Sequence, residues 1–579
     1  MKQANIIVIG GGLAGLMTTI KIAEAGQKVQ LFAMQPVRRS HSVCAQGGIN
    51  AAINLKGEGD SIWTHFDDTV YGGDFLANQP LVKRMCEAAP DIVELTARMG
   101  VMYNRTPEGH LDFRRFGGTK FHRTAFAGTT TGQQLVYALD EQVRRHEAEG
   151  LVTKFEGWEL LSPVIHNGAC RGITAMNLNT MEVRAFPADA VVAATGGIGA
   201  IFGLSTNSLV NTGSAASALY QAGAVYANPE FVQVHPTAMP GEDKLRLISE
   251  SARGEGGRVW VPRDGKPWYF LEDWYPAYGN LVPRDIASRA IFKVVHELGL
   301  GVDGGEVVYM DISHLNPRDI DRKLYGIAEI YERFSGDDPR KVPMRVFPAV
   351  HYNMGGLWVD DNMATNVPGL YAAGEAEYQH HGANRLGANS LVSCIFDGMV
   401  AGPAAVAYAE GLQKRSGEIS SGIFEAEANL QRDINADILN TGGTENPFDL
   451  FREMGDLMRK NVTVIRKNDD LKKTDEKLAE MLERCGRLNV VDKSPVANTS
   501  LVFARELKNM LILARAITVG ALMRDESRGA HYKPEYPMRD DAGWLKTTRA
   551  SFTPDGPEIS YEPVDVSLIV PRERHYDVD

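Results

Sequence analysis

A short apolar run, Asn5–Ile9, breaks directly into the turn Gly10-Gly11-Gly12-Leu13-Ala14-Gly15, and few folds accept that junction. Beyond it, Leu13–Ala25 carries apolar residues at helical spacing and closes on Gly26, and Lys28–Phe32 reads as a second strand. The whole reads as a βαβ opening. In a G-x-G-x-x-G turn the glycines remove side chains so that backbone approaches a pyrophosphate resting on the positive end of the following helix. Gly10, Gly12, Leu13, Ala14 and Gly15 are therefore expected to hold a dinucleotide.

The acid expected ~20 residues further on, to bind a ribose hydroxyl, is missing: the second strand ends Leu31-Phe32-Ala33-Met34. That departure argues against NAD. Two later segments repeat the strand-then-glycine pattern, Ala190–Ala194 before Thr195-Gly196-Gly197 and Leu370–Ala373 before Gly374-Glu375. Both read as strand ends facing the nucleotide, and Glu375 offers a carboxylate to a ribose. FAD is the preferred cofactor.

At 579 residues the chain is too long for one core and calls for roughly two to four domains. Residues 236–349 are rich in Trp, Tyr, Pro and Arg and lack the strand-glycine signal, as an inserted substrate-side domain would be. From about 412 to 522 the spacing is helical, with Leu450, Phe451, Met454, Leu457 and Met458, then Leu507, Met510, Leu511 and Ala514. After Met523 there is little periodicity, and that tail is expected to pack on a neighbour.

The net charge of −12 is spread out, with no basic run and no aromatic-interleaved basic patch, which excludes nucleic acid as the expected partner. Cys44, Cys86, Cys170, Cys394 and Cys485 are widely separated. Without a C-x-x-C pair, neither a disulfide scaffold nor a metal or iron–sulfur site in the chain itself is expected, and a reducing cytoplasm fits. The N-terminus lacks the apolar core of a secretory signal. The longest apolar stretches, near Ala190–Ala194 and Met399–Ala407, are short or broken by Gly and Pro, so any membrane link is expected to run through a partner.

Downstream of the first turn comes Arg39-Ser40-His41-Ser42-Val43-Cys44-Ala45-Gln46-Gly47-Gly48-Ile49. This segment resembles the flavin-linking loop of succinate dehydrogenase and fumarate reductase flavoprotein subunits. The likeness continues through His235-Pro236-Thr237, the run from Ser249 to Gly257, Pro283-Arg284-Asp285, the run from His351 to Gly356, the run from His381 to Ser390, and the run from Glu526 to His531. It spans nearly the whole chain, and its wording is closest to the menaquinone-linked Gram-positive branch.

The resemblance implies an α/β architecture: a Rossmann-like FAD-binding domain over 1–235 and 350–410, an inserted α+β capping domain over 236–349, a helical domain over 411–522 and a small C-terminal domain over 523–579. It implies FAD bound covalently through His41, with Ser40, Gln46, Gly47, Gly48, Thr195, Gly196, Ser390 and Leu391 also at the cofactor. Arg385, His235, His351 and Ser249 would clamp a dicarboxylate, since planar guanidinium groups bind carboxylates bidentately and imidazoles add donors. The family assigns proton transfer to the arginine matching Arg284, with Glu250 and Arg253 as its relay. That role is demanding, because arginine ordinarily stays protonated. Arg258, beside the relay, is read as a solvated charge.

Two departures stand out. Proteobacterial members carry Asp where this chain has Ser214, which is left off the cofactor list, and they carry Thr where it has Ser249, which keeps the hydroxyl. The implied partners are succinate or fumarate, a separate iron–sulfur subunit and, through it, a cytochrome b-type membrane anchor, on the cytoplasmic face of the cell membrane. Either reaction direction suits the same site. The nearest rival, a soluble L-aspartate oxidase, shares the fold but keeps its flavin noncovalent and lacks the match to His41.

Overall fold

The computed structural model describes residues 3–241 and 244–576. The opening strand β1 (Asn5–Ile9) is the middle of a five-stranded sheet in the order 370–372, 190–193, 5–9, 28–33, 152–156. Every pairing is parallel. Such a sheet is covered on both faces, which is why β1 reads as unbroken aliphatic sequence rather than alternating in and out.

The helix α1 (Leu13–Glu24) starts at Gly12, and the turn before it closes through contacts only glycine permits. Gly10 has φ +115°, and a Cβ there would lie 2.0 Å from the Ala194 carbonyl oxygen; a Cβ on Gly15 would lie 1.8 Å from the Gly10 carbonyl oxygen. The chain then returns as β2 (Lys28–Ala33).

A second sheet of six antiparallel strands builds the capping unit, which has its own apolar core around Ile248, Val259, Phe270, Ile291 and Met310. The strands Val232–Met239 and Met344–Asn353 pair antiparallel, with Val232 opposite Asn353 and His235 opposite Ala349. Both run straight through the expected borders at 235/236 and 349/350. One continuous strand pair thus carries the chain out of the FAD-binding unit and back, and the two units share a stiff neck.

The helices Ser421–Asn440, Pro447–Asn461, Asn468–Cys485 and Thr499–Met523 follow. The last is buried through Leu507, Met510, Leu511 and Ala514. The tail has more order than its sequence suggests. Lys546–Ser551 and Glu558–Pro563 form a hairpin that adds to Tyr226–Ala227 in a four-stranded sheet.

One expectation is overturned. The stretch around Met399–Ala407 is not broken: Asn389–Glu410 is a single 22-residue helix, with Pro403 inside it, that is long and apolar enough to cross a membrane by length and composition. Its glycines allow close helix packing rather than interrupting the helix. A Cβ on Gly398 would lie 2.7 Å from the Ala14 carbonyl oxygen, and one on Gly402 2.7 Å from the Lys21 Cβ, so the helix lies directly on α1.

Candidate active site

Two clefts meet at a common wall of His41, Ser42, Glu375 and Cys394. The first, with an open volume of ≈ 1090 Å³, runs from the Gly10–Ala14 turn past the end of β2 and the Thr195-Gly196 turn. The second holds Gln46, Gly47, Gly48, Ser390 and Leu391 on one side and Ser249, Glu250, Arg284, His351 and Arg385 on the other.

The residues present suit a long polar cofactor. Ser40 Oγ, Gln46 Oε1 and Thr195 Oγ1 are buried without a hydrogen-bond partner in the chain, and all three border the clefts. Buried polar atoms are nearly always bonded, so three orphans along one continuous channel point to a ligand that satisfies them. The α1 N-terminus opens on the same channel, with its amide dipole positive end facing in.

Gly15, expected at the cofactor, does not border the cleft; its absent side chain lets α1 seat against Gly10. Ser214, left out at first, does border it. It begins the helix Ser214–Gln221 after Gly213, which has φ +78°, so a glycine directly before a helix start was its sequence signal. Glu159, also missed, lines the cleft from the strand Trp158–His166, and no local motif marks it.

His41 sits in a short 3₁₀ turn, His41–Cys44. The Ser208 backbone N–H donates to its Nδ1 at 3.1 Å, and the Asn207 side-chain amide lies 3.3 Å from its Nε2. Burial first, and the Lys244 charge second, push its pKa down to about 4, so the ring is neutral.

At the far end, Arg284 heads the helix Arg284–Phe292. Its Nε and Nη2 lie 2.9 and 2.7 Å from Glu250 Oε2, and its Nη1 donates to Gln233 Oε1 at 2.9 Å. Glu250 Oε1 in turn accepts from the Gly117 N–H at 2.9 Å and lies 3.2 Å from Arg253 Nη2. Arg253 Nη1 continues to the Asn280 carbonyl at 2.8 Å. Burial by itself would raise the Glu250 pKa, but Arg284 and Arg253 together hold it below the usual value. A Cβ on Gly117 would lie 2.1 Å from Glu250 Oε1, so any larger residue there has to push that carboxylate from its place.

Arg385 stacks over the Tyr352 ring at 4.3 Å, with its Nε unpartnered. Burial and then Arg284 pull its pKa down to about 9. His351 Nδ1 bonds Thr206 Oγ1 at 2.7 Å. Burial, reinforced by Arg284, keeps both His351 and His235 well below the ordinary imidazole pKa. The His235 ring is 5.0 Å from that of His351, its Nδ1 accepts from the Thr237 N–H at 3.2 Å, and its Nε2 is buried without a hydrogen-bond partner in the chain. Arg258 is not a free solvated charge. It forks onto Glu272 at 2.8 and 2.6 Å and lies 3.4 Å above the Tyr269 ring.

This arrangement can hold a dianion between buried cations and pass a proton along a three-residue relay, beside a channel built for a dinucleotide.

Residues 5–391 match the FAD binding domain family model, and residues 451–576 match the fumarate reductase flavoprotein C-terminal model. The chain is 63% identical over 579 residues to the succinate dehydrogenase flavoprotein subunit of Bacillus subtilis, covering 100% of this chain and 99% of that one. Among solved structures it is similar to a flavoprotein chain of Escherichia coli quinol fumarate reductase, with TM-score 0.93, 34% identity and coverage of 100% and 99%. It is also similar to a quinol-fumarate reductase with menaquinol molecules, with TM-score 0.91, 34% identity and coverage of 98% and 99%.

Proposed function

The chain belongs to the succinate dehydrogenase and fumarate reductase flavoprotein family, and from that premise we infer that it is the flavoprotein subunit of a succinate:quinone oxidoreductase, interconverting succinate and fumarate. What supports this above all is one wall of one cleft on which Arg284, Glu250, His351 and Arg385 converge, directly beside the channel that begins at the dinucleotide turn. When bound, FAD supplies the two-electron acceptor.

The chain's own residues do the rest. Arg385, unpartnered at Nε, takes one substrate carboxylate, with His351 and Ser249 as further donors. His235, whose buried Nε2 has no partner in the chain, lies beside His351 as a further donor. Arg284 exchanges the proton on the methylene carbon, and Glu250, 2.7 Å away, moves it on toward Arg253. Burial, reinforced by the Arg284 charge, depresses the pKa values of the neighbouring Arg253 and Arg385.

We further propose that FAD is tethered covalently through His41. The neutral ring at the junction of the two clefts supports this, with Nδ1 engaged by Ser208 N–H. Acid precipitation of the purified chain tests it: yellow flavin should remain in the pellet of wild type and move to the supernatant for His41→Ala. Free flavin from wild type would instead favour the noncovalent plan of an L-aspartate oxidase. Electrons are proposed to leave through a separate iron–sulfur subunit held at the cytoplasmic face of the membrane by an anchor subunit. That the Bacillus subtilis relative is named as one subunit, the flavoprotein, supports that division of labour.

A further inference from the structure

The chain's last described residues are tied down at several points. Gln79, fully buried, grips the incoming segment from both sides: its Oε1 accepts from the Leu568 and Ile569 N–H groups at 3.1 and 2.9 Å, and its Nε2 donates to the Ile569 carbonyl at 2.8 Å. Arg572 then pairs with Asp67 at 2.6 Å. The Tyr71 hydroxyl meets both ends of His575, accepting from its N–H at 2.6 Å and donating to its carbonyl at 3.2 Å. Gln79, Asp67 and Tyr71 all belong to helices of the FAD-binding unit.

Between and after these anchors, two side chains turn inward across the seam. Arg574, 8% exposed, puts Nη1 3.2 Å from Asp74 of the FAD-binding unit and 3.0 Å from Asp285 of the capping unit, and Nη2 3.3 Å from Asp285. Tyr576 is buried in the capping core, with its ring 5.2 Å from Tyr278 on that side and 5.6 Å from Tyr71 on the other. A single buried guanidinium thus bridges carboxylates from both units, and a ring beside it spans the same seam.

Asp285 follows Arg284 in the chain, and its other bonds lead into the site. Asp285 Oδ1 accepts from Asn384 Nδ2 at 3.0 Å; Asn384 Oδ1 accepts from Gln233 Nε2 at 2.9 Å; Gln233 Oε1 accepts from Arg284 Nη1 at 2.9 Å. Asn384 is the neighbour of Arg385, whose carbonyl accepts from the same Gln233 amide at 2.8 Å. Arg574 is therefore the outer end of a closed, buried circuit that contains Asp285, Asn384 and Gln233 and ends on the two arginines of the cleft.

We propose that residues 568–576 form a strap that latches the capping unit onto the FAD-binding unit, and that Arg574 is a positioning residue: through Asp285 it sets where Arg284 and Arg385 stand relative to the substrate. This rests on the assignment of those two arginines to the site. Its physical basis is that a buried ion pair fixes geometry more than it adds stability, whereas removing one partner leaves stranded charges that must rearrange. Without Arg574, Asp285 would keep only its long pair with Arg289 on its own helix, at 3.4 Å, and Asp74 its pair with Arg539 at 2.8 Å, so nothing would bridge the two carboxylates.

The test uses the assembled enzyme with an artificial electron acceptor. Arg574→Gln is expected to keep its flavin content but lose more than tenfold in kcat for succinate, while KM changes less than threefold; Arg574→Lys should recover part of the loss. Arg574→Gln combined with Asp285→Asn should cost no more in kcat than the worse single variant, because both break one circuit. Wild-type kcat in Arg574→Gln overturns the proposal, and so does a loss of rate matched by an equal loss of flavinylated, folded protein with no rescue by lysine. Should Arg574→Gln misfold, Tyr71→Phe probes the same strap, and unchanged kcat there overturns it. Failure of the site assignment is read separately, from turnover that survives Arg284→Ala.

Discussion

Arg284 faces Glu250 at 2.7 Å with Arg253 3.2 Å beyond, all inside the protein. Removing the arginine should therefore act on proton transfer and leave the cofactor channel, on the other side of His41, intact. Arg284→Ala is expected to retain flavin by visible spectrum and to lose at least a thousandfold in succinate oxidation; substantial turnover would reassign the proton acceptor. Glu250→Gln keeps the shape but ends the relay, and leaves two buried guanidinium groups without their shared anion, so both rate and stability should fall. At the cofactor end, Gly15→Ala forces a methyl to 1.8 Å from the Gly10 carbonyl. Overpacking typically costs about 1–3 kcal/mol, and here it pushes α1 off the sheet, so lower melting temperature together with flavin loss is the expected result. The family resemblance named Arg284, His351 and Arg385, and the fold brings all three to one cleft. It did not name Glu159, which reaches the cleft only because its strand packs beside β2.

The helix Asn389–Glu410 shows what an element's sequence conceals. Its small residues look like interruptions and are in fact the surface on which α1 lies. It also carries Asp397, whose Oδ1 is 2.5 Å from His380 Nε2 and whose Oδ2 accepts from the Gly374 N–H at 2.8 Å, fixing the turn that presents Glu375 to both clefts. Burial alone would lower the His380 pKa, but Asp397 and Glu377 hold it up to about 9. A histidine whose folded pKa exceeds its unfolded value contributes stability that is complete below pH ~6.5 and is lost as pH rises through about 9. Thermal melts from pH 6.5 to 9.5 should fall steadily for wild type, and Asp397→Asn should start lower and fall less steeply. Parallel slopes for the two would remove the His380–Asp397 pair as the cause.

At the scale of the whole molecule the site belongs to neither unit alone. Arg385 lies on the FAD-binding side, Arg284 on the capping side, and His235 and His351 on the strand pair that joins them. A dicarboxylate held by both sides should bind only the closed arrangement. Binding to the native state stabilises it by about 2.7 kcal/mol at 100 times Kd, so malonate, a nonreactive dicarboxylate, is expected to raise the melting temperature of wild type and to leave that of Arg385→Ala unmoved. An equal rise in both would place the anion elsewhere. The 235/236 and 349/350 borders look sharp in composition, yet the strand pair continues through them, with register shifts between Gln233 and Val234 and between His235 and Ala238.

Local sequence was sufficient for the βαβ opening, and the likeness of many scattered motifs for the flavin family. A tight turn and a parallel strand each demand particular side chains at short spacing, and such demands leave a written trace. Folding alone decided the rest. Whether a glycine lines a cleft or seats a helix, whether an apolar helix crosses the core or leaves it, and which carboxylate a C-terminal arginine meets depend on residues hundreds of positions apart. Arg574 and Asp285 are separated by 289 residues yet lie 3.0 Å apart. No local pattern records such a pairing, because the interaction exists only after both units have packed.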